Sequence, residues 1–303
     1  MRFVVAALLV LLLTSPALIA ADAPTGEITQ AVLVTGASTG IGRKITEQLA
    51  AKGYRVYAGA RKDADLAALN AITNVQAIRL DVTKQEDIDA AVATVTKAGR
   101  GLYGLVNNAG VATPGPMADI SMEEFDLQMK VNVYGPVRMA KAFLPLLTES
   151  KGRITNVGSI SGILASKDLN TYAMTKHAIE AFTDSLAAEL APRGVAVNVV
   201  EPGNYNSEIG ANATKRTGAQ TRMTDRSKYK QPDEVAAAVE LALFEAVPKR
   251  RYMVTPDQRE AEITIRKQIE QLAQLNEDQP YTYSRDALVK MLDEALATTR
   301  ARK

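Results

Sequence analysis

The sequence predicts an α/β fold: a doubly wound parallel sheet of about seven strands, helices on both faces, and a helical C-terminal extension. Three observations carry this. Short β-rich runs alternate with helical windows along most of the chain, the order that covers both faces of a parallel sheet with crossover helices. A glycine-rich turn joins the first run to the first window. The composition is that of a globular protein of 303 residues, 47% apolar and 23% charged, with ample material for a buried core.

The elements follow in order. Residues 31–35 form a short β-rich run, and 41–52 have helical spacing closed by Gly53. Residues 55–60 alternate as a strand, 64–71 are helix-like, and 75–80 form a third strand. In 84–98, Ile88, Ala91, Val92 and Val95 recur at helical spacing. Further strands are read at 102–107, 153–157, 195–200 and 251–254, separated by long helical windows at 122–148, 171–191 and 232–246. Two stretches break the rhythm. Residues 204–231 are polar and aperiodic, with Arg216, Arg222, Arg226, Lys228 and Lys230, as a lid or binding loop would be. The tail, 256–303, holds two charged helical windows, 257–275 and 284–301, whose Ile263, Ile265, Ile269 and Leu272 predict packing on the body or on a partner subunit. A homo-oligomer is the expected assembly. The division of the chain is thus 1–21 leader, 27–255 catalytic body and 256–303 extension.

Composition removes whole classes of chemistry. With 36 basic against 34 acidic residues, no single-sign excess exists to track phosphates, so a nucleic-acid partner is not expected. There is no cysteine, and the one histidine is His177. Disulfide scaffolds, thiol nucleophiles and multi-histidine metal sites fall away, and no metal is expected. The chemistry must rest on tyrosine, lysine, serine, carboxylates or a cofactor.

At the N-terminus Met1-Arg2 precedes eleven unbroken apolar residues, 3–13. As a helix these reach about 16 Å, roughly half a hydrocarbon core, as in a secretory signal peptide. Counting 3–21 gives about 28 Å, enough for a retained membrane anchor. The expected location is therefore exported or membrane-anchored, and cytoplasmic if the start is mis-called.

The turn Thr35-Gly36-Ala37-Ser38-Thr39-Gly40-Ile41-Gly42 has the spacing G-x-x-x-G-x-G. Lying between a strand and a helix, it lets backbone approach a pyrophosphate at a helix N-terminus. The second strand ends Ala60-Arg61-Lys62 with no carboxylate to accept a ribose diol. Arg61 would instead face a 2′-phosphate, so NADP is expected over NAD.

Tyr172-Ala173-Met174-Thr175-Lys176 opens a helical window. Residues four apart share a helix face, so the phenol gains the ammonium it needs to act as acid or base near neutral pH. Thirteen residues before the tyrosine stands Ser159, in Gly158-Ser159-Ile160-Ser161-Gly162 after a strand. Here the chain resembles the short-chain dehydrogenase/reductase family. The glycine turn, Leu80-Asp81-Val82, Asn107-Asn108-Ala109-Gly110, Asn132, Ser159, Tyr172-x-x-x-Lys176 and Pro202-Gly203 stand in the family's order over 31–254.

The resemblance implies a Rossmann-type fold and hydride transfer between NADP(H) and a carbonyl or alcohol. In it Tyr172 exchanges the proton of the substrate oxygen. Lys176 supports Tyr172 and binds the nicotinamide ribose, Ser159 hydrogen-bonds the substrate oxygen, and Asn132 supports a water-linked proton path through Lys176. Gly36, Ser38, Gly40, Ile41, Gly42 and Arg61 would hold the phosphates, Asp81 and Val82 flank the adenine, and Asn108 lies beside the adenosine ribose. Pro202 and Gly203 would pass the nicotinamide, and Ser207 takes the place of the usual threonine at its carboxamide. Ser161 is the rival for the role of Ser159, and His177, about 100° away from Lys176 around the helix, is read as structural. Residues 199–207 are closest to the retinol and hydroxysteroid dehydrogenase branch, which points to a hydrophobic substrate. Its pocket candidates are Ile163, Leu164, Tyr205 and Ile209, each equally a core candidate. The rival readings are a non-catalytic NADP-binding redox sensor and a membrane-tethered interaction protein. An enoyl reductase would space the tyrosine and lysine more widely, and an epimerase or dehydratase would show a different glycine spacing and a larger C-terminal substrate domain.

Overall fold

The computed structural model describes residues 30–218 and 225–300. The apolar leader, together with Arg222 of the polar stretch, lies outside them. No described helix is long and apolar enough to cross a membrane.

Seven strands form one sheet: β1 (Ala31–Val34), β2 (Arg55–Ala60), β3 (Val75–Arg79), β4 (Gly104–Asn107), β5 (Arg153–Val157), β6 (Ala196–Pro202) and β7 (Arg251–Val254). Every pairing is parallel, in the order β3-β2-β1-β4-β5-β6-β7. The chain winds outward in one direction from β1 and in the other from β4. The connections leaving their C-terminal ends therefore part at a topological switch point, where open α/β sheets bind ligands.

Period-two alternation builds a core on each face. Val32 and Val34 of β1 join Ile45 and Leu49 of α1 (Gly40–Ala51), Leu69 of α2 (Asp63–Asn70), and Val235, Val239 and Leu243 of α8 (Asp233–Phe244). Ala31 and Leu33 turn the other way. They meet Ile88 and Val95 of α3 (Gln85–Lys97), Met139 and Phe143 of α5 (Gly135–Glu149), and Ala187 and Leu190 of α6 (Asn170–Leu190). The remaining helices are α4 (Met122–Met129), α7 (Ile209–Thr217), α9 (Gln258–Asn276) and α10 (Arg285–Arg300).

Two expectations change and a third is narrowed. The window 122–148 is not one regular helix: a π turn, Lys130–Tyr134, separates α4 from α5, and Asn132 sits in it. The polar stretch 204–231 contains α7, held by Arg216, whose guanidinium reaches both carboxylate oxygens of Glu124 at 2.8 Å and the Ala112 carbonyl at 2.9 Å. The tail does not spread over the body. Only the root of α9 is tied down, through fully buried Thr264, while Ile265, Ile269 and Leu272 of α9 and Val289 and Leu296 of α10 stay exposed.

Candidate active site

A cleft of about 1430 Å³ opens at the C-terminal ends of the strands. Its first wall is the glycine turn. Gly36 and Gly40 take positive φ, +65° and +55°, a conformation that glycine adopts without strain. A Cβ on Gly36 would stand 2.8 Å from Ala109 Cα, and one on Gly42 2.3 Å from both Asn108 Nδ2 and the Gly36 carbonyl. The backbone is thus drawn in as far as it can go. Asn108 staples it, its Nδ2 donating to the carbonyls of Thr35 at 2.9 Å and Gly36 at 3.0 Å. The Thr35 hydroxyl in turn accepts from the Asn108 and Ala109 amides, each at 3.0 Å. At the start of α1, Thr39 makes no side-chain cap and the first turn has no acidic residue. The free amides and positive end of this helix face the cleft, a cradle that fits the pyrophosphate of a dinucleotide.

The adenosine end is read from β2 and β3. Arg61 lines the cleft with Lys62, Asp81 and Val82. Its side chain is 64% exposed and its guanidinium only loosely opposed by Asp81, 3.9 Å away. One oxygen of Asp81 is occupied by the Thr83 amide and hydroxyl, at 3.0 and 2.7 Å. Asp65 of α2, which the sequence reading overlooked, also lines this end.

The other wall brings together Ser159, Tyr172 and Lys176. Ser159 follows β5 and begins a 3-10 turn, Ile160–Gly162. Its Oγ accepts the Ser161 amide at 3.0 Å and lies 3.4 Å from the Pro202 carbonyl. Ser161, the rival, lines the same cleft but spends its amide on holding Ser159. Lys176 is only 6% exposed. Its Nζ donates to the Val157 carbonyl at 2.8 Å and lies 5.6 Å from the centre of the Tyr172 ring.

Asn132 does not line the cleft. Its Oδ1 accepts from the Val111 amide, and its Nδ2 donates to the Val111 carbonyl and to Thr175 Oγ1, at 2.8 to 3.0 Å. The side chain thus ties the loop after β4, at Val111, to Thr175 of α6, from a π turn of the kind frequent at functional sites. His177 also stays out of the cleft, its Nδ1 2.9 Å from the Ala173 carbonyl.

Of the pocket candidates, Leu164 and Ile209 line the cleft and Ile163 does not. Tyr205 belongs to the core: it is 1% exposed and its hydroxyl donates to Glu234 at 2.6 Å. Burial, then the Glu234 carboxylate, push its phenol well above the ordinary value. Pro202, Gly203 and Ser207 lie on the cleft, and Ser207 packs over Gly40, its Cβ 3.2 Å from where a Cβ there would stand.

Sequence reading missed the residue that secures this last segment. Glu260, in the first turn of α9, accepts from the Asn204 amide at 2.8 Å and from Asn204 Nδ2 at 2.7 Å. A Cβ on Gly203 would stand 2.2 Å from its Oε2. Arg226 adds a bond to Asn204 Oδ1 at 3.0 Å. The pair Asn204–Glu260 is 56 residues apart, and no local pattern marks it.

Comparison with known proteins agrees with this geometry. The model of the short chain dehydrogenase family matches residues 30–218. A mitochondrial D-beta-hydroxybutyrate dehydrogenase of Rattus norvegicus is 40% identical over 195 residues, 61% of this chain and 56% of that protein. The chain thus spans just over half of that relative's length. An uncharacterized oxidoreductase of Escherichia coli K12, YbbO, is 32% identical over 76% of this chain and 88% of its own. A short-chain dehydrogenase structure from Streptomyces avermitilis superposes with TM-score 0.70 at 30% identity, covering 82% of this chain and 95% of that one. A short chain dehydrogenase of Burkholderia cenocepacia J2315, solved with NADP, gives 0.66 at 27% identity, covering 80% and 94%. With the family model spanning well over half of its residues, and the fold and cleft built as described, the chain belongs to the short-chain dehydrogenase family.

Proposed function

We propose that the protein is an NADP(H)-dependent oxidoreductase that interconverts a carbonyl compound and its alcohol. The observation that carries this is that Ser159, Tyr172 and Lys176 stand in the wall of the same cleft as the glycine cradle. When bound there, the nicotinamide supplies or accepts the hydride. Tyr172 gives its proton to the substrate oxygen in the reducing direction and takes it in the other. The Ser159 hydroxyl, fixed by the Ser161 amide, donates to that oxygen and steadies its developing charge. The buried Lys176 ammonium stabilises negative charge on the Tyr172 oxygen. Gly36, Gly40 and Gly42 admit the pyrophosphate to the amides of α1, and Arg61 is the group that would meet a 2′-phosphate. The preference for NADP rests on that side chain and on NADP-bound structures such as the Burkholderia one.

Leu164, Leu169 and Ile209 give the substrate end an apolar lining, which supports a hydrophobic ketone, aldehyde or secondary alcohol. One observation favours a second class. Lys215 also lines the cleft and makes no ion pair among the described residues, so a small hydroxy acid, the class after which the Rattus relative is named, is the alternative. A panel of apolar carbonyls and short keto acids with NADPH or NADH tests both. Oxidation of NADPH dependent on one of these classes is the expected result. A protein that binds NADPH yet oxidises it with no member of the panel would favour the redox-sensor reading instead.

A further inference from the structure

The stripe of α6 that carries Tyr172 and Lys176 continues, at the same four-residue interval, to Glu180 and Asp184. Glu180 Oε1 lies 3.0 Å from where a Cβ would stand on either Gly158 or Gly162. Its carboxyl therefore fills the hollow behind the loop that bears Ser159. Glu201, adjacent to Pro202 at the end of β6, is 2% exposed, and its Oε1 lies 3.9 Å from the same Arg251 Nε that stands 3.2 Å from Glu180 Oε2. Glu180 Oε1 and Glu201 Oε1 are both buried with no hydrogen-bond partner among the described residues.

The charged groups facing this hollow come from three elements. From α6 come Glu180 and half-exposed Asp184, and from β6 comes Glu201. From β7, Arg251 places Nε 3.2 Å from Glu180 and 3.9 Å from Glu201, and Nη2 2.6 Å from Asp184. Lys176, one turn earlier on α6, is committed to the Val157 carbonyl. One guanidinium thus stands against three carboxyl groups, of which Glu201 is buried and Glu180 has one oxygen buried. Two ionised carboxylates in a shared hollow repel one another and leave buried acceptors unmet. A single proton between them removes one charge and turns one oxygen into the donor the other lacks.

We propose that Glu180 and Glu201 share one proton, forming a carboxyl–carboxylate brace that holds the Ser159 loop and the Pro202–Gly203 segment at fixed spacing across the site. The brace touches neither substrate nor cofactor; its members are positioning residues. It rests on the assignment of Ser159 and Tyr172 as the reacting pair only for its effect on turnover. Burial, then the charge of Glu180, push Glu201 up to about 8, and burial raises Glu180 against the pull of Arg251. A carboxyl raised on folding stabilises the fold fully below the ordinary value of 4.5, and that stabilisation is lost as pH rises through about 8.

The test uses the full chain and two variants. Glu201→Gln keeps a donor and cannot ionise; Glu201→Leu cannot ionise either and has no donor. Melting temperature is measured for wild type and Glu201→Gln between pH 4.5 and about 8. The brace predicts that the wild type loses stability across this interval and that Glu201→Gln loses distinctly less. Parallel curves would overturn the shared proton. For positioning, Glu201→Leu should lower kcat by about tenfold or more at little changed NADPH KM, with Glu201→Gln restoring most of it. Equal kcat in the leucine variant and the wild type would overturn the positioning role. The melting comparison reads the proton without reference to turnover, so a wrong choice of reacting residues would leave it intact. Glu180→Gln repeats the comparison from the other side of the pair should the leucine variant fail to fold.

Discussion

Replacing Gly42 with alanine tests the cofactor cradle at its tightest point. The added Cβ would stand 2.3 Å from both Asn108 Nδ2 and the Gly36 carbonyl oxygen, where ordinary contact begins at 3.4 Å. Something must retreat by about 1 Å. The carbonyl is main chain and Asn108 is held by its two bonds to Thr35 and Gly36, so both bonds are lost. At about 1 kcal/mol each the native cradle becomes about 2 kcal/mol less accessible. If cofactor binding must restore it, NADPH affinity falls by about thirtyfold. Gly101→Ala is the control. Gly101 also has positive φ, +68°, but nothing lies within 4 Å of its would-be Cβ. It should cost about 1 kcal/mol of backbone strain, lowering Tm by about 2–4 °C, and leave NADPH binding unchanged. Fluorescence titration of NADPH against the two variants decides the matter. A Gly42→Ala protein that binds NADPH as tightly as the wild type would refute the reasoning.

Two other substitutions probe the rest of the site. Arg61→Ala should weaken NADPH by about tenfold or more, the loss of one exposed charge-assisted phosphate contact, and leave NADH affinity unchanged; equal loss for both cofactors in parallel titrations would contradict the 2′-phosphate role. Glu260→Ala removes two carboxylate bonds to Asn204 and should raise the KM for NADPH by about tenfold with a smaller change in Tm, whereas unchanged KM would show that the α9 root does not hold the Pro202–Ser207 segment.

Much of the fold was legible because the alternation of strand and helix signals is strong. The edges of β2, β5 and β7 fall where alternation begins and ends. The glycine turn was legible from its place between a strand and a helix and Tyr172–Lys176 from their shared helix face, while the choice of Ser159 came with the family resemblance. What escaped is tertiary. The π turn around Asn132 adds a residue to a helical turn without disturbing the apolar pattern, so 122–148 reads as continuous. Helix α7 is polar and rich in weak helix formers such as Gly210, Asn212 and Thr214; its hold comes from Arg216 reaching Glu124, 92 residues back. Tyr205 lies within the polar stretch 204–231 yet packs into the core, its hydroxyl reaching Glu234. The brace of Glu180 and Glu201 depends on two glycines leaving a hollow, which spacing alone does not disclose.

The central claim is tested most directly by Tyr172→Phe, which removes one hydroxyl and keeps the ring beside Lys176. Single-turnover reduction of an accepted carbonyl, with NADPH binding measured on the same preparation, should show cofactor bound as in the wild type and the rate at least about a hundredfold lower, the usual worth of a positioned acid. A phenylalanine variant that turns over at the wild-type rate would mean that the proton comes from elsewhere.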